Sequence, residues 1–234
     1  MKLPNRRAAT LKPESTLLPR AFFETRPEWV APRLLGKLLV HRVRGVEMTG
    51  RIVEVEAYLG PHNDPPDPAA HAHRGPTPRN QVLFGLPGHA YVYSIYGKYF
   101  CLNISCEAEG HAGCVLLRAV NPLSGVEQMA LNRGLPPDFA PTDAFLRQLT
   151  SGPSRLCQAL GVTRPSHNGL DVTSPDSPLQ VRDDGFQLTE AMLTPRIGIN
   201  PTNDAVDWPL RFVAPGSLCI SGPRNLKGER VRVP

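Results

Sequence analysis

The sequence predicts an α+β fold: a single mixed domain with a curved, largely antiparallel β-sheet and flanking helices. Three observations predict it. The chain has 234 residues, 41% hydrophobic and 20% charged, enough for one domain with a substantial core and too apolar for wholesale disorder. Its 26 Pro and 20 Gly exclude a helical bundle and call for turns, short strands and long loops. Strand-like runs cluster in the first half and helix-like ones follow them, without regular alternation.

In order, residues 1–20 read as a basic leader, and 21–234 as the domain. Thr25-Arg26-Pro27-Glu28 has the form of a capping box, so a helix runs from there to Leu35 and stops at Gly36. Strands are expected over Lys37–Arg44 and Glu47–Tyr58, turning near Gly45. A proline- and histidine-rich loop fills 59–80. A hairpin spans 89–105, and Cys114–Val120 forms a buried strand. Ser124-Gly125-Val126-Glu127 is a second capping box, opening a helix that ends near Gly134. Helices over Thr142–Leu149 and from Ser151 to Gly161 come next, then short strands including Arg196–Asn200 and Leu210–Val213. No internal repeat is present.

Charge and cysteine content narrow the setting. The net charge is +5, and residues 1–60 hold 11 cations against 6 anions, so the excess sits early in the chain. This suits a polyanionic partner without identifying one. No apolar run approaches the roughly 18 residues of a membrane helix, and no signal core follows the start, so the chain is expected in the cytoplasm, with no membrane partner. Five cysteines without a CxxC pair read as reduced, buried thiols. Cys106, His111 and Cys114 match no usual zinc spacing, so no metal site is expected.

Three stretches carry chemistry. In Arg51–Gly60, alternation places Val53, Val55 and Ala57 on one face and Glu54, Glu56 and Tyr58 on the other. On a solvated face these are two exposed glutamates. Beside a ring and a His-rich loop, they could bind a planar ligand and activate water. In His89–Asn103, two β-type runs meet at Tyr96-Gly97-Lys98. Tyr96 either folds back onto the sheet or stands out as a wedge between stacked bases, with Lys98 on phosphate. Ser151-Gly152-Pro153-Ser154-Arg155 is an ordinary helix start or a phosphate seat, and Pro78-Arg79-Asn80 is a plain turn or a phosphate contact.

These stretches, with Cys114-Val115-Leu116-Leu117-Arg118-Ala119 and Pro209-Leu210-Arg211-Phe212, resemble the 3-methyladenine (alkyladenine) DNA glycosylase family over roughly residues 20–222. The resemblance implies a monofunctional enzyme of base excision repair with a protruding hairpin. It would act as a monomer on double-stranded DNA containing damaged purines, at the nucleoid in a bacterium or in the nucleus of a eukaryote. It implies Glu56, rather than Glu54, as the catalytic base, with Arg118 as its partner on the water. The base would stack among Tyr58, His71 and Tyr93, and Asn103 would disfavour the amino group of guanine. His71 is preferred to His73 on the string Ala69-Ala70-His71. Tyr96 would fill the gap left by the flipped nucleotide, and Lys98, Arg79, Ser154 and Arg155 would meet the DNA backbone. No metal or organic cofactor is implied, and no strand cleavage. Two competing readings are a non-catalytic lesion binder and a metal-dependent phosphodiesterase using Asp64, His71 and His73.

Overall fold

A computed structural model describes residues 15–136, 142–222 and 226–234. Ten strands are present among them: β1 (Thr16–Leu17), β2 (Leu38–Val43), β3 (Val46–Tyr58), β4 (Ala90–Ile95), β5 (Tyr99–Cys106), β6 (Gly113–Ser124), β7 (Leu179–Asp183), β8 (Glu190–Thr194), β9 (Arg211–Val213) and β10 (Glu229–Arg232). They form one antiparallel sheet with the order β1-β7-β2-β3-β6-β5-β4, while β9 and β8 lead from β3 to β10. The helices are α1 (Pro27–Leu34), α2 (Val126–Asn132), α3 (Asp143–Thr150), α4 (Pro153–Leu160) and the single turn α5 (Arg164–His167). The expected α+β architecture is the one observed.

Strand β3 is the spine. It pairs with β6 along its length, with β2 over Val46–Arg51, and with β9 over Glu54–Glu56. The expected strict alternation fails here. Register shifts fall between Ile52 and Glu54 and between Glu54 and Val55, and Ile52 joins Val55 and Ala57 in the main core. Val53 packs instead with Ala119, Ala214 and Cys219. A bulge inserts one residue and so re-aims its neighbours. Glu54 and Glu56 are both wholly buried, which removes the reading of a solvated acidic face.

The main core lies between the sheet and the helices. It includes Leu39, Ile52, Val55, Leu102, Val115 and Leu117 from the sheet, with Leu34, Leu149, Leu156 and Leu160 from α1, α3 and α4. Each fully buried Val, Leu or Ile side chain contributes about 1.5–3 kcal/mol. All five cysteines are buried and unbridged.

Local signals were read with mixed success. Thr142 caps α3 by accepting a bond from the Phe145 N–H. Neither earlier capping box forms: α1 is preceded by Arg26, and α2 by Gly125 at φ +68°, each without a side-chain cap. The Ser151 hydroxyl donates to the Ile220 carbonyl and leaves α4 uncapped. At Ser151 a tertiary partner won over the local one. The leader also ends sooner than expected, because Thr16 and Leu17 pair with Asp183 and Arg182 of β7; residues 1–14 lie outside the described residues. Arg196–Asn200 is no strand; Glu190–Thr194 takes that place in the sheet.

The hairpin closes by a bond from the Lys98 N–H to the Ile95 carbonyl (3.3 Å). Tyr96 and Gly97 both take positive φ, +52° and +66°, the left-handed pair whose twist suits a hairpin turn. On the other edge of β4, Asn168 accepts from the Val92 N–H (3.0 Å) and Leu170 from the Ala90 N–H. These contacts cover the inner half of the strand and leave the tip exposed.

Candidate active site

The site sits at the end of β3, where Tyr58 lies opposite Cys114 of β6 and Glu56 opposite Leu116. Beneath the surface is a cluster of two carboxylates and two guanidiniums. Arg118 donates from Nε to Glu54 (2.9 Å), from Nη1 to Glu56 (3.1 Å) and from Nη2 to the Ser221 hydroxyl (3.1 Å). Arg211 donates from Nε to Glu54 (2.7 Å). Two charges of each sign balance, as a buried cluster requires.

The two glutamates are not equivalent. Glu54 accepts four bonds: Arg118, Arg211 and the Ser221 hydroxyl on Oε1, and the Ser221 N–H on Oε2. Burial alone would push its carboxyl up; Arg118, Arg211 and Ser221 outweigh this and hold it below its ordinary value. Glu56 accepts three among the described residues. Arg118 and the Tyr58 hydroxyl (3.1 Å) share Oε2, and the Ile197 N–H (2.7 Å) is alone on Oε1. A carboxylate offers about four acceptor positions. Glu54 is therefore the more heavily tied of the two, with three donors crowded on Oε1 and one on Oε2, and Glu56 has a single donor on Oε1 among the described residues.

Above the cluster is a cavity of about 150 Å³ lined by Tyr58, Ala69, His71, Tyr91, Tyr93, Asn103, Cys114, Gly198 and Ile199. That is small against the roughly 300–1,000 Å³ of drug-sized sites and suits one flat ring system. The expected base-binding residues Tyr58, His71, Tyr93 and Asn103 all line it, and His71 rather than His73 is the histidine present. The His71 ring meets Tyr93 edge-on at 4.5 Å between centroids, and its Nδ1 lies 3.0 Å from the Tyr91 hydroxyl. Partial desolvation against the cavity wall, helped by the Arg79 charge, lowers the His71 pKa from its ordinary value and so favours the neutral ring. Burial pushes Tyr91 up to about 12 against the pull of Arg79 and Arg164, and raises Tyr58 and Tyr93 also. All three phenols stay protonated. Asn103 donates from Nδ2 to the Tyr91 carbonyl (3.1 Å), fixing its orientation. Glu56 is not itself a wall of the cavity; it lies behind Tyr58, joined to it through the hydroxyl.

A strap holds these parts together. Asp67, in the loop after β3, receives both terminal nitrogens of Arg196, with Nη2 at 2.9 Å from Oδ1, and also the N–H groups of Leu59 and Ala69. Arg196 donates to the Ala57 carbonyl (3.0 Å), and its guanidinium lies 4.5 Å from the centre of the Tyr58 ring. The next residue, Ile197, supplies the N–H on Glu56. Asn80 staples the same loop by donating to the His71 and Gly75 carbonyls.

The expected DNA-facing residues are spread over the hairpin, the loop after β3 and the start of α4. Tyr96 is 93% exposed, so it does not fold back onto the sheet. Lys98 lies beside it, with Nζ 5.7 Å from the centre of the Tyr99 ring. Arg79 stands 5.6 Å from the centre of the Tyr93 ring. Ser154 and Arg155 open α4, away from the cavity walls; the Arg155 charge reaches Arg133, which lies in range of Tyr99 at the hairpin base. Asp64, His71 and His73 do not form a metal centre: among the described residues no group of three or more His, Cys, Asp or Glu could hold an ion. Residues not singled out from sequence include Arg211, Ser221, Arg196, Asp67, Tyr91 and Arg164. Arg211 left a trace, a cation within an otherwise apolar strand, whereas Asp67 and Arg196 are 129 positions apart.

Fold and site together define an antiparallel α+β domain with a small cavity walled by aromatic side chains, a buried carboxylate–guanidinium cluster joined to it through Tyr58, and an exposed hairpin tip. Residues 21–218 match the family model described as Methylpurine-DNA glycosylase (MPG). A relative from Koribacter versatilis is 50% identical over 96% of this chain and 100% of its own. One from Methanoculleus marisnigri is 46% identical, and one from Alkaliphilus oremlandii 42%, each over 87% of this chain and 98% of its own. All three carry the name "Putative 3-methyladenine DNA glycosylase". The chain belongs to the methylpurine-DNA glycosylase family, and its partner is DNA.

Proposed function

We propose that the chain flips alkylated or deaminated purines out of duplex DNA and hydrolyses the N-glycosidic bond, leaving an abasic site without cutting the strand. The observation that carries this reading is that Glu56, the carboxylate joined to the cavity wall through the Tyr58 hydroxyl and fixed by Arg118, has only the Ile197 N–H on Oε1 among the described residues and so a further acceptor position there. A water donating to that position hands its proton to Glu56 as its oxygen bonds to the sugar C1′. The C1′–N bond breaks, and its electron pair leaves with the purine. The sugar passes through an oxocarbenium-like state that the carboxylate stabilises. Arg118 fixes Glu56 and helps hold the water.

Tyr58, His71 and Tyr93 stack on the extruded base, and a cationic alkylated purine gains most from their electron-rich faces. Asn103 opposes the exocyclic amino group of guanine. Tyr96 fills the vacated stack, while Lys98, Arg79, Ser154 and Arg155 meet backbone phosphates. The protein acts as a monomer in the cytoplasm, at the nucleoid in a bacterium or in the nucleus of a eukaryote. Among the described residues no helix is long and apolar enough to cross a membrane.

Single-turnover excision of hypoxanthine or 3-methyladenine from a duplex tests the assignment. Glu56→Gln keeps the shape and removes the base, and the rate should fall by at least about 10²–10⁴-fold. Full excision by that variant would overturn the mechanism. Wild-type protein that binds abasic duplex tightly yet excises nothing would establish a lesion binder instead.

A further inference from the structure

We propose that Arg79 and Arg164, with the Ser94 hydroxyl, form a seat for one DNA backbone phosphate flanking the flipped nucleotide. The proposal rests on the glycosylase reading and adds a second cation and a location to it. The three residues, with Pro78, line a single open cavity of about 360 Å³. They come from three separate segments: the loop stapled by Asn80, the single turn α5, and the exposed outer half of β4.

The charges explain why this cavity takes an anion. Arg20, Arg26, Arg42, Arg51, Arg118 and Arg196 each face a carboxylate. Arg79 and Arg164 are among the arginines without a carboxylate partner among the described residues, and they meet at one cavity that no carboxylate lines. Two like charges brought to one cavity repel, and an anion between them turns that cost into attraction. Guanidinium forks match the oxygens of a phosphodiester, and a serine hydroxyl adds a donor.

Position gives the seat its role. Arg79 lies over Tyr93, a wall of the base cavity. A phosphate held there belongs to the extruded nucleotide or its immediate neighbour, so grip on the backbone and stacking of the base reinforce each other. Arg164 is held in place beforehand. The α5 turn is tied to β2 by His167 against His41 (3.1 Å between Nε2 atoms), and to β4 by Asn168 on Val92.

The test uses the full chain and a duplex carrying a central abasic analogue, so that it reads binding without excision. Arg164 is exposed, so Arg164→Gln should fold. Each phosphate contact adds about 0.9 to the slope of log affinity against log salt, so the variant should lose about threefold less affinity than wild type from 50 to 200 mM salt. In a second arm, one phosphate flanking the abasic position is replaced by a neutral methylphosphonate. Wild-type affinity should drop, and Arg164→Gln, with only Arg79 and Ser94 left on the seat, should show a smaller drop at that phosphate. At a phosphate far from the site the two proteins should respond alike. An unchanged salt slope, or additive losses at every flanking phosphate, would overturn the seat. Wild-type excision, measured separately, reports on the glycosylase reading, so the two can fail independently.

Discussion

Replacing Asp67 by Asn tests the strap that joins the pocket loop, Tyr58 and Glu56. Asp67 accepts four bonds, two on each oxygen, from Arg196, Leu59 and Ala69. Asn has one acceptor oxygen, so at least two of the four are lost and its amide turns a donor toward other donors. The Arg196 side chain is wholly buried and would be left as an uncompensated charge. Breaking such a pair from one side costs about 3–5 kcal/mol. At about 2–4 °C per kcal/mol for a chain of this size, the midpoint should fall by roughly 6–20 °C. Thermal unfolding followed by circular dichroism measures the midpoint, and urea unfolding the free energy. The double variant Asp67→Asn/Arg196→Met removes both charges and should be more stable than Asp67→Asn alone. A single-variant loss below about 1 kcal/mol, or simple additivity in the double variant, would refute the reasoning. Excision should slow as well, because Ile197 presents its N–H to Glu56 only while Arg196 is held.

Further outcomes follow from other elements. Tyr96→Gly should leave stability unchanged or raise it by up to about 1 kcal/mol, since the ring is exposed and φ is +52°. The same change should weaken lesion-duplex binding more than abasic-duplex binding in a titration. Burial, with mutual proximity in the case of His167, holds His41 and His167 below their ordinary value of 6.5. Their contribution is complete above pH 6.5 and is lost as pH falls through the folded values, so the melting temperature should decline there, and His167→Gln should flatten that decline. Glu54 titrates below its ordinary value of 4.5, so its contribution is complete above that pH and lost as acid protonates it in the fold. Glu54→Gln should be less stable at pH 7 and show a shallower acid transition in unfolding scans.

Much of the site could be read from sequence because it sits on regular strands. Period two placed Glu56 and Tyr58 near one another, and the paired β-type runs put Tyr93 and Asn103 in one hairpin. The turn at Tyr96 was legible for the same reason. Failures came where tertiary partners override local pattern. The bulge around Glu54 broke the alternation of β3, and no residue type there announces it. Ser124 and Ser151 look like caps, yet the first hydroxyl is buried with no partner among the described residues and the second serves Ile220. Arg196–Asn200 has the composition of a strand but turns at Gly198 (φ +83°) and spends Arg196 on Asp67 and the Ile197 N–H on Glu56. Pairings across more than a hundred residues leave no spacing to detect.

The five buried cysteines bear on survival under chemical attack. Burial pushes the thiols of Cys101, Cys106, Cys114, Cys157 and Cys219 upward. Thiolates react with soft electrophiles; protonated thiols sealed from solvent do so poorly. The reagents that methylate purines would meet little nucleophilic sulfur on this protein, Cys114 at the wall of the base cavity included. The folded chain should accordingly take up a thiol-directed reagent far more slowly than the unfolded one.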